Sequence, residues 1–310
     1  MTDCIFDTIA IIGAGLVGSS IARAAKANGA CNVVKLYDAS DTVRDRCRAL
    51  NLGQVSDTSA QGVSGADCVI LCVPMGAMGA AMEEIAGGLK PGCILTDVGS
   101  TKATAINALQ QHCPEHVHLI PGHPIAGTEQ SGPDAGFATL FENAWHILTP
   151  LPSGDEDYQK ATDKLTEFWT RLGSNVEIMD AERHDRVLAI TSHLPHLIAY
   201  NIVSTAHDME TVEEGEVVKY SAGGFRDFTR IAASDPTMWR DVFLTNKEAV
   251  LETLGRFTED LAALQRAIRW GDGETLMREF TRARGIRKAI IDAGQDVDSA
   301  DFGRRSSDND

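Results

Sequence analysis

The stretch Gly122-His123-Pro124-Ile125-Ala126-Gly127-Thr128-Glu129 sets an imidazole just after an apolar, strand-like run, Val117–Ile120. Pro124 disfavours helical φ/ψ at His123, so that side chain leaves an extended backbone. At the end of a strand in an α/β sheet it faces the crevice where ligands bind. Imidazole titrates near neutral pH and can take a proton from a reacting hydroxyl. Much later, Gly223-Gly224-Phe225-Arg226-Asp227-Phe228-Thr229-Arg230 presents charge beside a sharp turn. Arg230 could clamp a carboxylate with two parallel hydrogen bonds, although an isolated arginine is more often a surface residue. Ser192-His193-Leu194-Pro195-His196 places two histidines on one helical face around a proline that should kink the helix. A metal pair there would lack a carboxylate at helical spacing, so no metal is expected.

These groups need elements to hold them. Thr8–Ile12 is a short apolar run and reads as a buried strand. Gly13-Ala14-Gly15-Leu16-Val17-Gly18 follows at once, then an alanine-rich helix over 19–28 closed by Gly29, then a strand over 32–38 ending in Asp38. In this G-x-G-x-x-G context Gly13 makes the tight turn, Gly15 admits a pyrophosphate, and Gly18 lets the helix pack on the strand. The helix start at Leu16 and Val17 offers free N–H groups to the phosphates. Asp38 lies twenty residues after Gly18, at the spacing for accepting hydrogen bonds from a ribose diol. It would repel a 2′-phosphate, so NAD is favoured over NADP; Arg44 and Arg46 keep NADP open. The arrangement suggests that His123 handles a proton while a bound nicotinamide takes a hydride.

Strands and helices keep alternating. Helices are expected over 41–50, 76–89 and 102–112, and strands over 66–73 and 93–98. Short connections between them imply a doubly wound parallel sheet. Strand 144–149, the amphipathic helix 155–172 and strand 175–179 should complete that sheet. Beyond Asp180 the strand signal vanishes, and helices are expected over 181–206, 211–220, 236–254, 257–270 and 274–293. The predicted organisation is a Rossmann-type dinucleotide-binding domain over 1–179 and an all-helical domain over 180–294. An aspartate-rich tail, 295–310, is expected to be disordered.

A net charge of −16 in 310 residues argues against sequence-independent nucleic-acid binding, which needs a basic face. It leaves room for an anionic small molecule held by a few local cations. All seven cysteines lie in the first 113 residues, with no Cys-x-x-Cys, and read as reduced thiols of a cytoplasmic protein. No secretory signal is recognisable, and no run reads as long enough to span a bilayer.

Taken together, Gly13-x-Gly15-x-x-Gly18, Asp97-Val98-Gly99-Ser100-Thr101-Lys102, Gly122 to Glu129, Ser192 to His196 and Gly223 to Arg240 resemble the prephenate dehydrogenase family, which includes arogenate and cyclohexadienyl dehydrogenases of tyrosine biosynthesis. The first block is generic; the later four together are specific, and they run in matching order to about residue 250. The chain looks like the short, monofunctional form. The resemblance implies NAD-dependent oxidative decarboxylation: prephenate to 4-hydroxyphenylpyruvate, or arogenate to tyrosine. It implies that His123 holds the ring C4 hydroxyl, that Ser100 orients it, and that Arg230 binds a substrate carboxylate. His196 and Asp227 would shape the pocket and Glu129 would sit at its mouth. A homodimer is expected on the same ground. The rivals are another two-domain NAD(P) enzyme of the β-hydroxyacid dehydrogenase or imine reductase type, and a nucleotide-binding sensor without turnover. The former usually rely on a lysine in the helical domain, whereas here the proton-handling candidate precedes that domain.

Overall fold

Six short strands, β1 (Phe6–Ile12), β2 (Cys31–Tyr37), β3 (Gln54–Val55), β4 (Cys68–Leu71), β5 (Ile94–Asp97) and β6 (His118–Leu119), form a parallel sheet in the order β3-β2-β1-β4-β5-β6. Successive residues of a strand face opposite sides, and the apolar runs fill both. Ile9, Ile11, Cys68 and Ile70 lie in one core; Ala10, Ile12, Val69 and Leu71 lie in the other. Each fully buried isoleucine or leucine contributes roughly 1.5–3 kcal/mol, which is why uninterrupted Val/Ile/Leu runs read as central strands. The crossovers are α1 (Leu16–Ala27), α2 (Asp41–Ala49), α3 (Ser59–Val63), α4 (Met78–Ile85) and α5 (Lys102–Gln110). This computed structural model describes residues 4–210 and 223–292. The expected helix over 211–220 and the 295–310 tail lie outside the described residues.

After β6 the chain changes sheets. The Ile120 N–H still bonds to the Leu95 carbonyl of the main sheet, but Pro121 has no N–H to continue the ladder. From Gly122 the chain joins a second sheet, in which β7 (Gly122–Pro124) pairs antiparallel with β8 (Trp145–Leu148) and β8 pairs parallel with β9 (Asn175–Ile178). The strand near residue 175 is therefore not the last strand of the main sheet, as expected from sequence, but the edge of a separate small one. Between β8 and β9 runs α6 (Glu156–Arg171), capped by Asp155 and buried through Leu165, Phe168 and Trp169.

Asp180 caps α7 (Ala181–Leu188), which passes through a π-helical turn, Ala189–His193, into α8 (Leu194–Glu210). The wide turn stands where Pro195 removes a backbone donor, so the expected kink takes the form of a π-bulge. By length and composition alone the run Ala181–Met209 could cross a membrane. That amends the expectation that no run is long enough. Its buried His184 and Asp185, however, hydrogen-bond to protein groups on other elements. The remaining helices are α9 (Gly223–Thr229), α10 (Pro236–Thr245), α11 (Lys247–Trp270) and α12 (Gly273–Asp292). Sequence placed a break near Gly255; it falls at Asn246 instead. Asn246 leaves helical geometry (φ −113°, ψ 35°), and its amide is held by partners in α7 and the π turn.

Two compact units result, Met1–His196 with Ala233–Val250, and Leu197–Ala232 with Leu251–Asp310. In the second unit Leu251, Leu261, Ile268, Trp270, Met277, Phe280 and Ile286 are exposed, Trp270 to 76%.

Candidate active site

The glycine loop runs from the end of β1 into α1. Gly13 has φ +96°, and a Cβ there would meet the Cys72 carbonyl oxygen at 2.4 Å; a Cβ on Gly18 would meet the Gly13 carbonyl oxygen at 2.0 Å. Both positions are therefore closed to side chains by the protein itself. Gly15 differs: a Cβ there would have nothing within 4 Å. Gly15 is also the N-cap of α1 and makes no side-chain cap, so no capping side chain occupies the helix start at Leu16 and Val17, beside a bare Cα. This cradle fits a pyrophosphate. Asp38 closes the loop, its Oδ2 accepting from the Ala14 N–H at 2.8 Å and its Oδ1 from the Ser40 N–H at 2.9 Å. Each carboxylate oxygen keeps acceptor capacity for a ribose hydroxyl. Arg46 forms a two-pronged ion pair with Asp134, and Arg44 bonds to the Asp38 and Ala39 carbonyls and to Asp41.

His123 sits in β7, one residue past the point where the chain is tied to the carboxyl end of β5. The tie is Asp97, the last residue of β5, whose Oδ1 accepts from the Gly122 N–H at 3.2 Å. Asp97 Oδ2 accepts from the fully buried Lys102 Nζ at 2.5 Å, and Nζ also donates to the Gly122 carbonyl at 2.5 Å. The peptide before His123 is thus gripped on both sides. The ring itself meets a second imidazole, His123 Nδ1 lying 2.9 Å from His184 Nε2. His184 Nδ1 lies 2.8 Å from Asp185 Oδ1. The Asp185 carboxylate accepts from the Lys102 and Ala103 N–H groups at 2.7 and 2.9 Å, capping α5 from a point far along the chain, since Thr101 makes no side-chain cap. Asn246 Nδ2 donates to the Asp185 carbonyl at 2.8 Å and lies 3.1 Å from His193 Nδ1.

Burial, then the neighbouring His184, Lys102, His146 and His193, push His123 well below the ordinary histidine value. Burial lowers His184 too, against the raising pull of Asp185. Burial brings His193 down to about 4. Burial alone would raise Asp185, but hydrogen bonds from His184 and the two backbone N–H groups hold it below the usual carboxylate range. At neutral pH the site holds neutral imidazoles beside an ionised carboxylate. Such a ring is ready to accept a proton.

Of the other residues singled out in the sequence, Ser100 is half-buried in the turn between β5 and α5, and Glu129 is half-buried in the loop after β7. His196 Nδ1 bonds to the Ser192 carbonyl at 2.8 Å, and its ring stacks on Trp239 at 3.7 Å. His193 meets the same indole edge-on at 6.0 Å. These four all belong to the first compact unit. Asp227, on α9, pairs with Arg226 at 3.6 Å, and exposed Arg230 opens the 3₁₀ turn Arg230–Ala233 that follows; both lie in the second unit. Sequence reasoning missed His184, Asp185 and Asn246. The only local trace was an adjacent His-Asp pair one turn after the Asp180 cap, which does not tell a network from a solvated helix face.

A doubly wound sheet, a glycine cradle at a bare helix start and a neutral buried imidazole past the sheet's carboxyl edge define a nicotinamide-dinucleotide dehydrogenase. The chain belongs to the prephenate dehydrogenase family. The family's nucleotide-binding domain matches residues 21–178 and its dimerization domain residues 180–282. The chain is 45% identical to a cyclohexadienyl dehydrogenase of Zymomonas mobilis over 92% of its own length and 97% of the relative's. It is 35% identical to a prephenate dehydrogenase of Bacillus subtilis over 92% of its length and 76% of that protein's. A solved prephenate dehydrogenase from A. aeolicus, in complex with hydroxyphenyl propionate and NAD⁺, superposes with a TM-score of 0.82 at 32% identity, covering 92% of this chain and 98% of that one.

Proposed function

We propose that this chain oxidatively decarboxylates prephenate, arogenate or both, with NAD⁺ as hydride acceptor. The observation that carries the reading is the buried, neutral His123 held at the carboxyl edge of a dinucleotide-binding sheet in a chain matched by this family from 21 to 282. Removing hydride from the ring C4 carbinol builds positive charge on that carbon, and His123 relieves it by taking the hydroxyl proton. Loss of CO₂ from the opposite ring carbon then leaves an aromatic phenolate, which takes the proton back from His123 to give the phenol; forming the aromatic ring drives the step. Ser100 orients the hydroxyl. Arg230 holds a substrate carboxylate, His196 and Asp227 shape the pocket, and Glu129 stands at its mouth; these roles are carried over from the family motifs. Gly13, Gly15, Leu16, Val17 and Gly18 form the phosphate cradle and Asp38 reads the ribose.

NAD is preferred over NADP in this reading. A 2′-phosphate would meet the Asp38 carboxylate, while Arg44 and Arg46 are already engaged by Asp41 and Asp134. Family models meeting at 178 and 180 support division into a dinucleotide-binding part over 1–179 and a helical part over 180–294. The match to a dimerization domain, together with the exposed apolar residues of α11 and α12, supports a homodimer.

The test is reduced-cofactor formation by the purified protein, given prephenate and arogenate separately with NAD⁺ and NADP⁺. Turnover of at least one substrate, faster with NAD⁺, is expected. His123→Asn should lower kcat roughly 10²- to 10⁴-fold, the usual worth of a general base. Cofactor binding without turnover of either substrate would sink the assignment.

A further inference from the structure

The buried chain His123–His184–Asp185 determines where the hydrogens sit. An ionised carboxylate only accepts, so the His184 nitrogen facing Asp185 Oδ1 at 2.8 Å, Nδ1, must carry hydrogen. A neutral imidazole has one N–H, so His184 Nε2 is bare. It faces His123 Nδ1 at 2.9 Å, and that contact is a hydrogen bond only if His123 Nδ1 supplies the hydrogen. His123 Nε2 is then left bare.

We infer that His184 and Asp185 are positioning residues that hold His123 in its Nδ1–H tautomer and so make Nε2 its basic atom. The opposite tautomer would turn a donor toward the substrate hydroxyl and could not take its proton. The device is anchored at both ends by one residue. The Lys102 backbone N–H holds Asp185, while its Nζ holds the carbonyl of Gly122, next to His123. Asn246 fixes the Asp185 carbonyl from a third element. The charged and titratable groups facing the pair are Lys102, His146 and His193 around His123, and Asp185, Lys102 and Asp97 around His184. Burial keeps both rings neutral at neutral pH, which the one-hydrogen-per-ring argument requires.

The kinetic part of the inference rests on His123 being the base of the proposed reaction; the tautomer itself is a property of the free protein. Two measurements separate them. In ¹⁵N-histidine spectra of the unliganded protein at neutral pH, the resonances lost in His123→Asn should show a protonated Nδ1 and a bare Nε2. A hydrogen on Nε2 overturns the inference whatever the activity. In kinetics, His184→Leu should lower kcat about 10²-fold with KM within about threefold, the pattern of a misoriented base. His184→Gln keeps an acceptor toward His123 and a donor toward Asp185, and should recover to within about tenfold of the parent. In a His123→Asn background, His184→Leu should cost less than about twofold more, because the two residues act as a unit. Equal losses in both backgrounds, a Gln variant no better than Leu, or a Leu variant with full turnover would each overturn it. A protein with the expected tautomer but no turnover would refute the proposed reaction and leave the tautomer lock standing.

Discussion

At the scale of single residues, the first unit carries several imidazoles that stay neutral because they are buried. His123 and His146 are both pushed well below the ordinary value, chiefly by burial, and His193 to about 4. His146 stacks on Trp169 at 3.7 Å, and neither of its ring nitrogens has a partner among the described residues. An unfolded histidine takes its proton near pH 6.5, whereas these folded ones cannot until far lower. Their contribution to stability is therefore full above pH 6.5 and is lost as pH falls, by up to about 1.4 kcal/mol per pH unit for each such ring. Denaturation followed from pH 7.5 down to about 3.5 should show stability dropping from about 6.5 onward, and for His193 the loss should continue to about 4. His146→Phe keeps the aromatic stack and removes one titrating group. It should flatten that slope, and an unchanged slope would mean that His146 is protonated in the folded protein. The same sign applies to the proposed reaction: with His123 as its base, protonating that ring stops turnover, so any acid limb in kcat/KM belongs below the normal histidine range.

At the scale of elements, the turn from β1 into α1 separates two uses of glycine. Gly18 is needed because a Cβ would overlap the Gly13 carbonyl oxygen, 2.0 Å away, whereas Gly15 has nothing within 4 Å of a Cβ, and in the proposed function that space takes the pyrophosphate. Gly18→Ala should lower the thermal midpoint of the protein itself. Gly15→Ala, at an ordinary negative φ with nothing nearby, should melt like the parent yet bind NADH at least about tenfold more weakly, a loss of about 1.4 kcal/mol. Melting curves and a fluorescence titration check both; a Gly15→Ala variant with parental affinity would move the pyrophosphate elsewhere. The capping of α5 follows a different logic. Its first N–H groups are satisfied not by Thr101 but by Asp185, an acid on α7, so the start of one helix and the orientation of an active-site imidazole depend on the same carboxylate.

At the scale of the molecule, the second compact unit leaves α11 and α12 with exposed leucine, isoleucine, methionine, phenylalanine and tryptophan side chains, more than a solitary soluble surface usually shows. Light scattering should give about twice the 33.3 kDa chain mass. Leu261→Asp paired with Ile268→Asp should shift the protein toward that single-chain mass; a parent protein that already runs as one chain would refute the dimer.

Much of this was legible from neighbours in the chain. Val/Ile/Leu runs, glycine at fixed offsets and Asp38 at a strand end are local signals, and β1, α1, β2, β4 and β5 stand where those signals put them. The tertiary structure decided what local signals cannot carry. Pro121 splits one apparent strand between two sheets, and Asn246 rather than Gly255 ends a helix because its amide is claimed by α7 and the π turn. His184 and Asp185 lie about sixty residues from His123 and more than eighty from Lys102, with no periodicity linking them. By itself the sequence determined the sheet order's raw material, the cradle and the imidazole, because propensity and pattern act over a few residues. Which nitrogen of that imidazole is free to act depends on hydrogen bonds between distant segments, and only folding brings those donors and acceptors within 3 Å.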